Sequence, residues 1–285
     1  MKKIMLSLLA GAAALTFSFS AATTAHAAGE SFLKVPVSLS YSSAYWWRGV
    51  ELNGKDVGVV WGSAGLELGD TGIALSAAAG LSEDYLLQTD DSTDAYKTNK
   101  KSQKALTEYD YGISYSAEFA DLVSLGLGVM YVHYAYYDEA DSTAVNPSFW
   151  EGSLSLGLKT VLNPTVNFYY DYYVEERIGN DGTETPVDED YYLKFSVSQD
   201  VYSADGFTFG VGAWVAYYNN AYLEADGWSD AGISLSTSKE VGSASFNSAV
   251  YYARSLSSDF QTEYTNSVGK LKNHLWAEFG VSYTF

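Results

Sequence analysis

The sequence has no cysteine, only four prolines, and 16 Lys and Arg residues against 35 Asp and Glu residues in 285 positions. Without cysteine, the chain cannot be a disulfide scaffold or a lipoprotein anchored through a modified cysteine. The acidic balance argues against nucleic acid as a partner, because binding phosphates requires a basic surface. Beyond residue 19, no apolar run approaches the roughly 20 residues that a membrane-spanning helix needs.

The amino terminus has the three parts of an export signal. Lys2 and Lys3 precede an apolar run over residues 4–19, and Ala25-His26-Ala27 supplies the small-x-small pattern that signal peptidase cleaves. We therefore expect residues 1–27 to be a signal peptide cleaved near Ala27 and residues 28–285 to form a single exported domain. That domain keeps 14 basic and 35 acidic residues, a net charge of −21.

Apolar and polar side chains alternate along much of the exported domain, most clearly at its end. The apolar members of the last stretch are Leu275, Ala277, Phe279, Val281, Tyr283 and Phe285. A strand with this period of two shows one face to an apolar medium and the other to water. A soluble β-sandwich would alternate in the same way, although 25 tyrosines and 16% aromatic residues are more typical of a barrel with aromatic girdles.

The alternation recurs in about twelve segments. We expect the first to run from Leu33 to Trp47, and we expect residues 219–227 to form a loop. Short turns follow the even-numbered segments, and longer polar stretches such as residues 86–105 follow most of the odd-numbered ones. An even strand number with segregated connection lengths is typical of bacterial outer-membrane proteins. The sequence therefore predicts an all-β fold, a transmembrane antiparallel up-and-down β-barrel of about twelve strands in the bacterial outer membrane.

Three stretches resemble the TorF-like porin family of the outer membrane. They are residues 40–50 (SYSSAYWWRGV), the acidic strand 108–119 with the glycine-rich strand 126–137, and Phe149-Trp150-Glu151. The resemblance covers about half of the exported domain, implies a porin, and supplies no catalytic residues. The terminal Phe285 is similar to the aromatic residue that closes outer-membrane barrels. It implies outer-membrane lipids and the barrel-assembly machinery as partners.

If the apolar face meets lipid, the intervening side chains line the interior. The candidate pore-lining residues are Arg48, Glu108, Asp110, Glu118, Glu151, Asp171, Glu175, Lys194, Asp230 and Glu278; Lys34, Lys159 and Asp190 share that face. The excess of carboxylates predicts a preference for cations. Alternatively, these acids and bases pair across a narrow lumen and serve only stability. Inward Gly126 and Gly128 favour open space, whereas inward Tyr169, Trp214 and Trp276 would narrow it.

Signals for an enzyme or a cofactor are weak. The exported domain has two histidines, His133 and His274, and neither lies in a nucleophile motif of the kind that hydrolases use. Two isolated histidines without cysteine do not form a zinc site. The acidic stretches 89–94 and 180–184 are expected to be solvated loops, with calcium binding as the less favoured interpretation. We expect no cofactor, no metal and no enzymatic activity.

The sequence thus favours a passive diffusion channel for small hydrophilic solutes, with a preference for cations. A first alternative is a non-conducting barrel with a structural, adhesion or receptor role. A second is an outer-membrane hydrolase. The sequence leaves open whether the protein forms a homo-oligomer, because an outward apolar face has the same pattern whether it contacts lipid or a neighbouring copy.

Overall fold

The computed structural model describes residues 32–51, 58–82, 107–134, 148–173, 177–178, 184–185, 190–220, 225–257, 260 and 273–285. The expected signal peptide, residues 1–27, lies outside this part of the chain. No helix among the described residues is long and apolar enough to cross a membrane.

Twelve long strands make up the fold. They are β1 Pro36–Ser42, β2 Val59–Leu68, β3 Ile73–Ser82, β4 Thr107–Phe119, β5 Val123–Tyr134, β6 Phe149–Leu158, β7 Thr165–Tyr173, β8 Asp190–Ala204, β9 Phe207–Asn220, β10 Ala225–Val241, β11 Ala244–Ser255 and β12 Asn273–Thr284. Each pairs antiparallel with its neighbours in chain order, and Leu33–Lys34 extends β1 along β2. Strand β12 pairs with β1, with Val281 opposite Leu39, so the sheet closes on itself. The predicted closed barrel of twelve strands is confirmed.

The two faces of the barrel have opposite chemistry. Large apolar side chains such as Leu39, Ile113 and Phe279 are more than half exposed on the outer face. The carboxylates of Asp110 and Asp171, by contrast, are buried inside. A soluble sandwich buries its apolar rows, so this arrangement excludes that alternative and provides the apolar band that lipid requires.

The two ends of the barrel differ in their connections. Strands β2–β3, β4–β5, β6–β7, β8–β9 and β10–β11 are joined by short turns. The β8–β9 turn is Asp205-Gly206, with φ of 51° and 71°, the two-residue turn whose twist matches antiparallel strands. The other connections are longer, except residues 221–224 between β9 and β10. We call the halves of the barrel next to these ends the short-turn half and the long-connection half.

Two sequence expectations about strand ends are wrong. The first strand stops at Ser42 instead of continuing to Trp47, because the next residues leave the wall and turn into the barrel. The expected loop 219–227 is wrong at both ends, because β9 continues to Asn220 and β10 begins at Ala225. Hydrogen bonds to the adjacent strands, which sequence periodicity does not report, extend both strands.

Candidate pore site

A short hairpin inside the barrel forms the centre of the site. Trp46–Trp47 pairs antiparallel with Val50–Glu51, with Trp47 opposite Val50. The tip is Arg48-Gly49, and both residues have positive φ, 49° and 88°. Two consecutive residues in this region form the tight turn that favours glycine at its second position. At its base the hairpin is tied to the wall, since the Ser43 N–H donates to the Ala277 carbonyl over 2.9 Å.

The hairpin tip places Arg48 beside two carboxylates on the opposite wall. Its Nη1 donates to Asp171 Oδ2 over 2.5 Å and its Nη2 to Asp171 Oδ1 over 3.0 Å. Nη2 also forms a short ion pair with Glu151. Glu151 and Asp171 stand opposite each other on β6 and β7, so one planar guanidinium reaches both. Fork-shaped pairing of this kind is specific to arginine.

Aromatic rings surround the same guanidinium. Its central carbon lies 4.3 Å from the centroid of the Trp47 ring, 5.3 Å from Tyr169, 5.8 Å from Tyr192 and 5.9 Å from Tyr218. The attraction between a cation and an aromatic face grows when water is excluded, and Arg48 is only 1% exposed. The hairpin is therefore held by charge and by aromatic contacts at one point.

The two hairpin tryptophans connect the aromatic clusters that fill the long-connection half. Trp46 belongs to a buried cluster with Trp214, Tyr251 and Trp276. Trp47 packs against three further clusters, one around Tyr218 and others from the neighbouring wall. Rings on opposite sides of the barrel thus meet through the hairpin, which makes this half a packed core.

A second polar group lies on the wall formed by β8, β9 and β10. Asp230 accepts hydrogen bonds from Trp214 Nε1 over 2.6 Å and from Ser229 Oγ over 2.8 Å. The register places Lys194 two strands away on the same face, with only Ala216 between them. The Lys194 ammonium lies 5.0 Å from the Trp214 ring centroid. Gly49 at the hairpin tip approaches this group so closely that an added Cβ would lie 2.9 Å from Asp230 Oδ1.

The short-turn half is lined differently. Its inner wall carries serines and glycines, among them Ser114, Ser124, Gly126, Gly128, Ser153, Ser155, Ser196, Ser234, Ser236 and Gly280. On β1 and β2 of the same half, the hydroxyls of Ser38 and Ser63 lie 2.5 Å apart. Because these side chains are small and fill little of the interior, we infer that water occupies this half, and we call it the vestibule.

The predicted pore-lining residues fall into three groups. Arg48, Glu108, Asp110, Glu151, Asp171, Lys194 and Asp230 are buried in the long-connection half, where Glu278 accepts a hydrogen bond from Trp276 Nε1 over 3.3 Å. Glu118 lies at the other end and forms an ion pair with Lys159. Glu175 lies outside the described residues, as do the acidic stretch 89–94 and most of 180–184.

The two histidines have structural contacts. The His274 ring centroid lies 4.0 Å from that of Trp46. His133 faces outward between Tyr109 and Tyr131, and its Nδ1 lies 2.9 Å from Ser148 Oγ. Ser148 is itself buried, which keeps a substrate from this pair. Within the described ranges, no group of three or more His, Cys, Asp or Glu side chains is placed to hold a metal ion.

The sequence analysis did not predict the inward hairpin. Tyr45 and Trp46 were assigned to a wall strand, yet both are buried inside. The available signal was Arg48-Gly49, a dipeptide suited to a tight turn, within an apolar stretch that no longer alternates. Tyr192 and Tyr218 were likewise missed as partners of Arg48, because their contact with it depends on the closure of the barrel.

Comparisons with known proteins support the fold. No family model matches the sequence, and no curated protein matches it either. Among solved structures, the NanC porin in a rhombohedral crystal form is 12% identical, with a TM-score of 0.53, over 87% of this chain and 98% of that one. The KdgM porin is 10% identical, with a TM-score of 0.47 over 88% and 99%. An outer membrane channel from Pseudomonas putida F1 is 10% identical, with a TM-score of 0.49 over 90% and 96%. At these identities the likeness concerns the fold: the chain has the closed antiparallel barrel of outer-membrane porins.

Proposed function

We propose that this protein is an outer-membrane channel for passive diffusion of small hydrophilic solutes and that it prefers cations. The observation that carries the proposal is the division of the barrel wall, apolar outside and polar inside, in a closed barrel with a vestibule of small side chains. The fold of the NanC porin supports the same role. Membership of the TorF-like family is part of this proposal, based on the three stretches that resemble it.

The long-connection half would set both the size limit and the selectivity. A solute entering from the vestibule meets the hairpin of residues 43–51, so passage requires the hairpin to shift away from Glu151 and Asp171. The wall behind it carries more carboxylates than basic groups, and low-dielectric surroundings strengthen their field. Anions would be repelled at this level, whereas small cations would be attracted.

Single-channel recording of the purified, refolded protein in planar bilayers tests the proposal. We expect discrete conductance steps, and a reversal potential across a salt gradient that shows cation preference. Replacing Glu108, Asp110 and Asp171 together by Gln, Asn and Asn should move the reversal potential towards the value of an unselective pore. Glu118→Gln is the matched control, because Glu118 is paired with Lys159 at the other end. An unchanged reversal potential in the triple variant would show that these carboxylates do not set selectivity.

A non-conducting barrel is the second candidate, and the packed hairpin favours it. Arg48 is buried and its guanidinium is held by two carboxylates and four rings, which are contacts that also suit a permanent plug. This candidate predicts no current from the wild-type protein at any salt concentration. Current that appears only when Arg48 is replaced would assign the hairpin the role of a plug.

A hydrolase is the least supported candidate. It would depend on His274, whose ring lies against Trp46, or on His133, whose serine neighbour Ser148 is buried. The candidate predicts lipid or ester hydrolysis that His274→Ala abolishes. Hydrolysis by the wild-type barrel at a rate above that of a heat-inactivated sample would revive it.

A further inference from the structure

Charges on the inner wall of the long-connection half do not balance. In the described part of this wall the acidic residues are Glu108, Asp110, Glu151, Asp171, Asp190, Asp230 and Glu278, and the basic residues are Arg48 and Lys194. Most of these carboxylates accept hydrogen bonds. Glu151 and Asp171 accept them from Arg48, and Asp230 accepts them from Trp214 and Ser229. The Tyr45 hydroxyl donates to Glu108 over 2.7 Å.

Asp110 differs from the other carboxylates. It is 1% exposed, and neither of its carboxylate oxygens has a hydrogen-bond partner in the described structure. Its cross-strand neighbours are Ala78 on β3 and Val132 on β5, two buried apolar residues that offer no side-chain donor. Asp110 thus lies between apolar side chains on both adjacent strands.

The polar group beside Asp110 is another acid. Glu108 lies two residues earlier on β4, so its side chain is on the same face of the sheet as that of Asp110. Two ionised carboxylates can accept hydrogen bonds but cannot donate one. Burying an uncompensated carboxylate costs several kcal/mol. A positive charge between the two would remove that cost.

We propose that Glu108 and Asp110 bind a divalent metal cation of the calcium class on the wall of the long-connection half. Two carboxylates supply four oxygens and two negative charges, which match such an ion, and Ca²⁺ accepts carboxylates in one- or two-oxygen contact with water completing its shell. The Tyr45 hydroxyl bond holds Glu108 in place.

The cation would neutralise part of the wall that a permeating cation meets. In this respect the inference rests on the proposed channel function. Binding itself needs no current, however, so the two are measured separately: the site by spectroscopy in detergent, and conduction in a planar bilayer.

Terbium luminescence tests the site, because Tb³⁺ replaces Ca²⁺ at oxygen ligands and is sensitised by nearby aromatic rings. Tyr45 touches Glu108, and the Trp61 ring centroid lies 5.8 Å from that of Tyr45. Titration of the refolded full-length barrel at neutral pH should give saturable Tb³⁺ emission that Ca²⁺ displaces. Asp110→Asn should weaken the affinity by about tenfold or more, since it removes one of two charged ligands.

Matched variants separate this site from other acidic groups. Glu118→Gln changes the same charge on the same strand, but near the short turn, and should bind Tb³⁺ as the wild type does. Glu108→Gln should weaken binding as Asp110→Asn does, and it serves as the second variant if Asp110→Asn does not fold. Equal Tb³⁺ affinity in the wild type and in both site variants would overturn the proposal and place the ion elsewhere.

Two further results bear on the proposal. If the wild type shows no saturable emission while Asp110→Asn unfolds at a higher temperature in calcium-free buffer, a proton shared by the two carboxyl groups replaces the cation and the proposal is overturned. If Tb³⁺ binds but planar bilayers show no current, the site is supported and the channel function fails. Cation-selective current without Tb³⁺ binding would support the channel function and overturn the proposed cation site.

Discussion

The two halves of this barrel share one wall but differ in what they enclose. In the short-turn half most inward residues are serines and glycines, and the ion pair of Glu118 with Lys159 has side chains 26% and 20% exposed. In the long-connection half the same inward positions carry tryptophan, tyrosine, aspartate and glutamate, and Arg48 and Asp171 are almost completely buried. The halves therefore act as an open vestibule and a packed core.

The contrast between the two halves shows that strand alternation determines which face is polar but does not determine whether water reaches that face. Serine and glycine are too small to meet across a barrel of twelve strands, so water can occupy their half. Large aromatic side chains on adjacent strands pack directly on one another, as Tyr251 and Trp276 do, and the hairpin of residues 43–51 connects these clusters through Trp46 and Trp47. Removing the hairpin's anchor should turn the packed half into a second vestibule.

Arg48→Ala should have the largest effect on this difference. It leaves Glu151 and Asp171 buried without their cation, a change that typically costs about 3–5 kcal/mol. The free energy of unfolding in urea, measured on the refolded barrel in detergent, should fall by about that amount. Single-channel conductance should rise, because the hairpin is no longer held.

The matched control for this variant is Arg254→Ala, which removes an exposed arginine at the end of β11. Neither its stability nor its conductance should change measurably. If Arg48→Ala behaved like this control, the hairpin would not depend on its ion pairs.

Two glycine substitutions compare packing in the halves directly. A Cβ on Gly232 would overlap the Trp214 ring and approach the Tyr252 carbonyl oxygen to 2.7 Å, whereas on Gly126 its nearest neighbour would be Ser155 Cβ at 3.3 Å. Gly232→Ala should destabilise by about 1–3 kcal/mol through overpacking. Gly126→Ala should stay within about 0.5 kcal/mol of the wild type. Equal urea midpoints for the two variants would contradict the conclusion that one half is packed and the other open.

Lys159→Ala should have the smallest effect. It breaks the exposed pair with Glu118 in the short-turn half, and such pairs contribute about 0–1 kcal/mol. On a gel, the folded band should convert to the unfolded band after heating to nearly the same temperature as for the wild type. A loss comparable to that of Arg48→Ala would mean that this end of the barrel is as tightly coupled as the other.

Much of the wall could be predicted from the sequence. The facing of β4 follows from Tyr111 and Ile113 alternating with Asp110 and Gly112, and the structure exposes the first two and buries Asp110. The Asp205-Gly206 turn, with positive φ at both residues, is formed by a dipeptide that tolerates this conformation. Such features are local, because the pleat of a strand and the φ values of a turn depend on adjacent residues.

The candidate site was predictable only in part. The inward position of Glu151 and Asp171 followed from alternation, and Arg48 was expected to line the pore, but its ion pairs with these two carboxylates were not predicted. Their contact with Arg48 joins residues 103 and 123 positions apart in the chain. No period in the sequence encodes such a distance.

By itself, the sequence determined that this chain forms a closed antiparallel barrel with an apolar exterior and an acidic, polar interior, because every second side chain in a strand faces the same side. Only the tertiary structure decided that the segment after β1 turns inward, that Arg48 neutralises two of the carboxylates, and that Asp110 is left enclosed among apolar neighbours. The physical reason is closure: a barrel brings distant strands face to face across its axis, and the side chains that meet there depend on register and on the path of the hairpin.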